Sequence, residues 1–116
     1  MNKSIWNLDE NIAAALSYIF GIVSGGILLV FEKENKFVRF HAMQSVLLSV
    51  FVIVVEVVLQ ILGRIPLLGG IFVLANNIFG FIALVAAIWL IVSALKMKKQ
   101  KLPLIGDVAE KQIEKT

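Results

Sequence analysis

The chain has 116 residues, enough for one domain, with 59% apolar residues, 16% charged residues and a formal net charge of +3. Soluble domains average roughly half apolar and a quarter charged, and here the apolar residues run in blocks that leave a helix no wet face. A soluble globular fold is excluded, the absence of cysteine excludes disulfide and thiol chemistry, and an all-α integral membrane protein is the expected fold class.

In chain order, Trp6 suits a membrane interface, and Asn7 and Glu10 are spaced as a capping box. They open the first apolar block, 11–31. The second block covers 42–63 and the third 71–95. At 1.5 Å per residue each reaches across a hydrocarbon core of about 30 Å. In lipid such segments must be helices, because three strands cannot close a barrel. The first block is too long for the apolar region of a cleaved signal. The expectation is a single membrane domain, 1–116, folded as a compact bundle of three transmembrane helices with interfacial extensions.

Between the first two blocks stands "EKENKFVRFHAMQS", 32–45, the longest polar interruption of the apolar region. Asn35 is placed to cap a helix starting at Lys36. Phe37 and Phe40 then lie at headgroup depth as interfacial anchors, with Lys36 and Arg39 reaching lipid phosphates. His41, Gln44 and Ser45 run on into the membrane, where anchoring does not account for them.

A polar stripe continues from there. At 100° per residue His41, Ser45, Ser49, Glu56 and Gln60 fall within an arc of about 100° on the second helix. The first helix carries Ala13, Ser17, Gly21 and Ser24 on one face, with Gly25 at its edge. The third carries Asn76, Gly80, Ala83, Ala87 and Ala94 within about 60°. Small residues let helices approach closely in lipid. Counted by rise per residue, Ser17, Glu56 and Asn76 lie about 8–10 Å below the outer ends of their helices, so the three share one layer. An intramembrane carboxyl is costly when charged. Glu56 is therefore expected either to bind helices together as a neutral hydrogen-bonding group or to serve as a proton- or cation-responsive site.

Orientation follows from the basic residues. Lys33, Lys36 and Arg39, with Lys96, Lys98, Lys99 and Lys101, stand against Lys3 and Arg64 on the other side. The positive-inside rule then gives a multi-pass plasma-membrane protein with its N-terminus outside and its C-terminus cytoplasmic. The turn "GRIPLLGG", 63–70, is a tight apolar connection. The tail, about 103–116, breaks at Pro103 and Gly106; Asp107 and Glu110 suggest a second capping box before a short amphipathic helix, with Val108 and Ile113 toward the membrane or a partner. Lys96 to Lys101 favour anionic headgroups.

Enzyme chemistry finds little support. Ser24 in "GIVSGG" loosely resembles an intramembrane serine protease turn, but His41 lies roughly 10 Å away along the bundle axis. One histidine and no cysteine leave no metal cluster, and no glycine-rich loop precedes a lysine and Ser/Thr to cradle phosphate. No cofactor and no nucleic-acid partner are expected.

"ALSYIFGIVSG", "EKENKFVRFHAMQS" and "LPLIGDVAEK" together resemble a family of small prokaryotic multispanning membrane proteins of unknown function, matching most closely at Phe40 to Ser45. That family is distantly similar to the Tic-type multispanning subunit of the chloroplast inner-envelope protein translocon. The resemblance implies a non-enzymatic helical protein that assists translocation or assembly of other membrane proteins. Phe37, Arg39, Phe40, His41, Gln44 and Ser45 would form its docking surface. The alternative is a small channel or transporter lined by Ser45, Ser49, Glu56 and Gln60. Three spans cannot enclose a hydrated pore alone, so that reading requires a homo-oligomer.

Overall fold

The computed structural model describes residues 2–115. It is all-α: a one-turn 3₁₀ helix, Ile5–Asn7, precedes α1 (Glu10–Leu16), α2 (Ile22–Phe31), α3 (Lys36–Leu62), α4 (Gly69–Leu95) and α5 (Ile105–Lys115). The molecule measures 55 × 26 × 23 Å. Helices α3 and α4 form a long antiparallel pair joined by the 63–68 turn, and α1 packs against both. Helix α2 runs back along α3, and α5 folds against the beginning of α3.

Two helices, α3 and α4, are long and apolar enough to cross a membrane. Only 6% and 17% of their most apolar stretches are buried, so they are not the core helices of a soluble domain. Their ridges of Val, Ile, Leu and Phe face outward instead, as lipid contact requires.

The first apolar block departs from the expected single span over 11–31. Its helix breaks after Leu16 and resumes at Ile22, and the chain reverses between. At the start of α1, the Asn35 side-chain amide donates to Glu10 Oε2 at 2.7 Å. Beyond the end of α2, Glu32 accepts from the Ser4 hydroxyl at 2.6 Å. The Asn11 amide donates to Leu95 O, at the end of α4, at 3.0 Å. Both ends of the block, the start of α3 and the end of α4 therefore gather at one end of the molecule. The block is a helical hairpin whose tip reaches the level of Ser49, about 20 Å along α3. The described N- and C-terminal segments consequently lie at the same end, not at opposite ends as the three-span reading expected. The physical reason is local. Gly21 sits at φ 57°, a conformation other residues adopt at a cost, and it reverses a chain that composition alone would carry straight through.

Two of the expected caps also differ. Asn35 does cap α3, its Oδ1 accepting from Val38 N–H at 3.1 Å. Asn7 lies in the 3₁₀ turn rather than at an N-cap, and Glu10 reaches across to Asn35. Helix α5 already begins at Ile105, and Glu110 pairs with Lys99 and Lys101 instead of closing a capping box.

Candidate functional site

Two polar residues of the 32–45 stretch, His41 and Gln44, meet where the hairpin, α3 and the 96–102 linker come together. Tyr18 follows α1 directly and is buried, as are His41, Gln44 and Ser45. The Tyr18 hydroxyl lies 2.6 Å from His41 Nδ1, and His41 Nε2 lies 3.1 Å from the carbonyl oxygen of Lys98. A carbonyl only accepts, so Nε2 carries the imidazole proton and Nδ1 accepts from Tyr18. Gln44 Nε2 completes the chain by donating to the Tyr18 oxygen at 2.9 Å and to Gln100 O at 2.9 Å. Its Oε1 accepts from Leu102 N–H at 2.9 Å. Every donor meets an acceptor, and the three side chains tie together three separate segments.

Ser45 performs the same service for the hairpin tip. Its hydroxyl lies 2.5 Å from Ser17 O and 3.2 Å from Gly21 O. Ser24 accepts from Phe20 N–H at 3.1 Å and donates to Ser17 O at 3.0 Å, while the Ser17 hydroxyl donates to Ala14 O at 2.6 Å. A chain reversal within an apolar surrounding needs such partners, because exposed backbone groups there are costly. A Cβ on Gly25 would lie 3.0 Å from Ala42 O and 3.2 Å from the Ser45 side chain, so α2 and α3 touch through backbone.

Aromatic rings enclose His41. Phe37, Phe40 and Tyr18 approach it edge-on, with centroids at 4.7, 5.3 and 5.5 Å. Phe40, expected among headgroups as an anchor, is buried and carries Lys99 over its outer face at 5.0 Å. Arg39, expected to reach phosphates, turns inward: its guanidinium donates to Leu29 O at 2.9 Å and to Glu32 O at 2.6 Å, satisfying the last carbonyls of α2. Glu32 is buried, which alone would raise its pKa. Hydrogen bonds from the Ser4 hydroxyl and from the backbone N–H groups of Asn35, Ile5 and Glu34 outweigh that and hold the carboxyl below the usual range.

The outer half is different. Ser17 does not share a layer with Glu56 and Asn76, because the hairpin turns it back to the level of Ser45, about 16 Å short of Glu56 along α3. Ser49 lies beside Gly21, where a Cβ would sit 2.6 Å from its hydroxyl. Glu56 is half-buried and its Oε1 lies against Gly80, 3.3 Å from where a Cβ would be. Asn76 Oδ1 is buried with no hydrogen-bond partner, and Gln60 is exposed. The expected stripe thus divides into a bonded inner part and a sparsely partnered outer part.

Tyr18 is the residue that sequence reasoning missed. The signal was available: it is the chain's one tyrosine, set in an apolar block, and a buried phenol needs a partner.

Residues 6–109 match the model of the magnetosome magnetite crystal formation protein family. The chain is 39% identical to a UPF0132 membrane protein of Methanocaldococcus jannaschii over 95% of its own length and 94% of the relative's. It is 40% identical to a UPF0132 membrane protein of Archaeoglobus fulgidus, over 91% and 97% of the two chains. No solved structure matches. These matches run through the hairpin, the junction and both long helices, and the chain belongs to this family of small prokaryotic membrane proteins.

Proposed function

We propose that the protein is a non-enzymatic membrane assembly module, acting by association with other membrane proteins in the manner of a translocon subunit. It crosses the plasma membrane twice and holds a re-entrant hairpin in the cytoplasmic half, with both described terminal segments cytoplasmic. The observation that carries this reading is the state of the junction. The side chains most suited to chemistry, His41, Tyr18, Gln44 and Ser45, are buried and mutually bonded, which fixes helices in place and leaves no group free to attack or transfer. What the molecule presents outward is surface: apolar helix faces and a basic end.

The family description speaks of magnetite crystal formation. Among the described residues no group of three or more His, Asp or Glu side chains stands close enough to hold a metal ion. A part in mineral formation would run through proteins assembled on this scaffold.

The test is residue-specific crosslinking in native membranes. Photoreactive groups at Phe81 and Ile78, both well exposed on α4, are expected to capture a discrete membrane-protein partner or a second copy. The same positions giving lipid adducts only, with an in-membrane size of one chain, would overturn the assembly role.

A further inference from the structure

Glu56, Gln60, Asn76 and Asn77 belong to the two long apolar helices, yet among the described residues no hydrogen bond reaches any of these four side chains. We infer that they line a water-filled vestibule, open on the face opposite the termini and ending at the Glu56 carboxyl, with Glu56 drawing small cations into it. The inference rests on the two-span crossing proposed above.

The fold leaves room for it. The hairpin tip stops at the level of Ser49, where Gly21 meets the serine hydroxyl, and α3 continues about 20 Å further to Leu62. Over that length α3 and α4 stand without the hairpin beside them. An open cleft lies between them above the tip, and Ser49, Ile53, Ala83 and Leu84 are among its walls. Seven residues carry a helix through two turns back to nearly the same face. Two turns further out from those four wall residues stand Glu56, Gln60, Asn76 and Asn77. The faces that wall the cleft therefore turn polar toward the outer end.

Their depths select the occupant. Gln60 lies about 3 Å from the outer end of its helix, Glu56 about 9 Å, and Asn76 and Asn77 about 10–12 Å. The polar groups are thus spread along a path leading inward from the surface. A lipid chain would leave all four unmet, which is costly, whereas water supplies donors and acceptors in any geometry. Polar groups at such depth characteristically face a water-filled cavity or the bundle interior. The Glu56 side chain leans back toward the start of α3, as helical side chains do, and its Oε1 lies 3.3 Å from the Cβ position of Gly80. It is the only acidic side chain of α3, the 63–68 turn and α4, and a cavity with one sign of charge concentrates counter-ions.

Single cysteines in the otherwise cysteine-free chain test this on intact cells with membrane-impermeant thiol reagents. Ile53 and Ile78 are both 52% exposed, and both lie about 14 Å from the outer ends of their helices. Ile53 lines the cleft and Ile78 does not. Ile53→Cys is expected to react from outside, as Leu67→Cys does in the turn, and Ile78→Cys is expected not to react. Ala83→Cys, on the facing wall, serves if Ile53→Cys does not fold. A cationic reagent should modify Ile53→Cys about tenfold faster than an anionic one of the same size. Glu56→Gln should erase that difference with melting retained. Outside labelling of Leu67→Cys with Ile53→Cys as inert as Ile78→Cys would overturn the vestibule and leave the two-span crossing standing. A disulfide between copies through Ile53→Cys would put a second copy there and overturn it too. No charge preference, or one that survives in Glu56→Gln, would overturn the part assigned to Glu56.

Discussion

Tyr18 is the single side chain on which the junction closes, because it donates to His41 and accepts from Gln44. Tyr18→Phe removes one hydroxyl and leaves His41 Nδ1 without a donor in a buried site. An unsatisfied buried group costs about 1–3 kcal/mol. The variant should therefore melt earlier in mild detergent than the parent, while Leu84→Val, on the exposed side of α4, should not. Equal melting would show that the network contributes nothing net. Glu32 gives a pH dependence. Its folded pKa is depressed, so its stabilising contribution is present above the unfolded value of about 4.3 and is lost as the pH falls below that through the folded pKa. Melting profiles should show this acid-side loss in the parent and a flatter profile in Glu32→Gln, which starts less stable at neutral pH. The conspicuous residues of this junction, His41, Gln44 and Ser45, were legible because polar groups entering an apolar block stand out. Their partners were not, since Ser17 O, Lys98 O and Gln100 O are backbone atoms that only the fold brings near.

At the scale of elements, α3 and α4 were legible nearly to their ends from length and hydropathy, and Asn35 marked the start of α3. The hairpin was not. Its two arms read as one apolar run, since hydropathy registers burial in lipid but not direction, and the reversal rests on Gly21 and on hydroxyls that also suit a straight helix face. Adjacent glycines in α2 isolate the contact that holds the hairpin down. A methyl on Gly25 would press on Ala42 O, whereas one on Gly26 would meet nothing within 4 Å. Both positions gain up to about 1 kcal/mol of helix propensity on change to alanine. Gly26→Ala should accordingly be neutral or stabilising, and Gly25→Ala should melt earlier than Gly26→Ala. The same melting temperature for both would mean that α2 does not lie on α3 as described. Gly21→Leu should be worse than either, since it adds a left-handed backbone penalty of about 1–3 kcal/mol to contact with Ser49.

For the whole molecule, the hairpin rearranges the charge map. With the N-terminal segment folded beside residues 32–35, Lys3 joins Lys33, Lys36, Arg39, Lys96, Lys98, Lys99, Lys101 and Lys111 at one end, and among the basic side chains described Arg64 alone marks the other. The asymmetry that the sequence suggested becomes sharper once the first block folds back on itself. Helix α5 is part of the same end: Glu110 pairs with Lys99 and Lys101, and Asp107 lies 3.9 Å from Lys101, so the tail partly neutralises the basic surface it covers. Sidedness is thus the property on which the hairpin, the charge distribution and the proposed assembly role depend together. With no native cysteine, it is measured most directly by single-cysteine labelling with a membrane-impermeant reagent on intact cells and on inverted vesicles. Ser4→Cys and Gln100→Cys should both label only from the cytoplasmic side, and Leu67→Cys, in the fully exposed turn, only from outside. Labelling of Ser4→Cys from outside while Gln100→Cys labels from the cytoplasm would mean that the first block crosses the membrane, and would contradict the re-entrant hairpin.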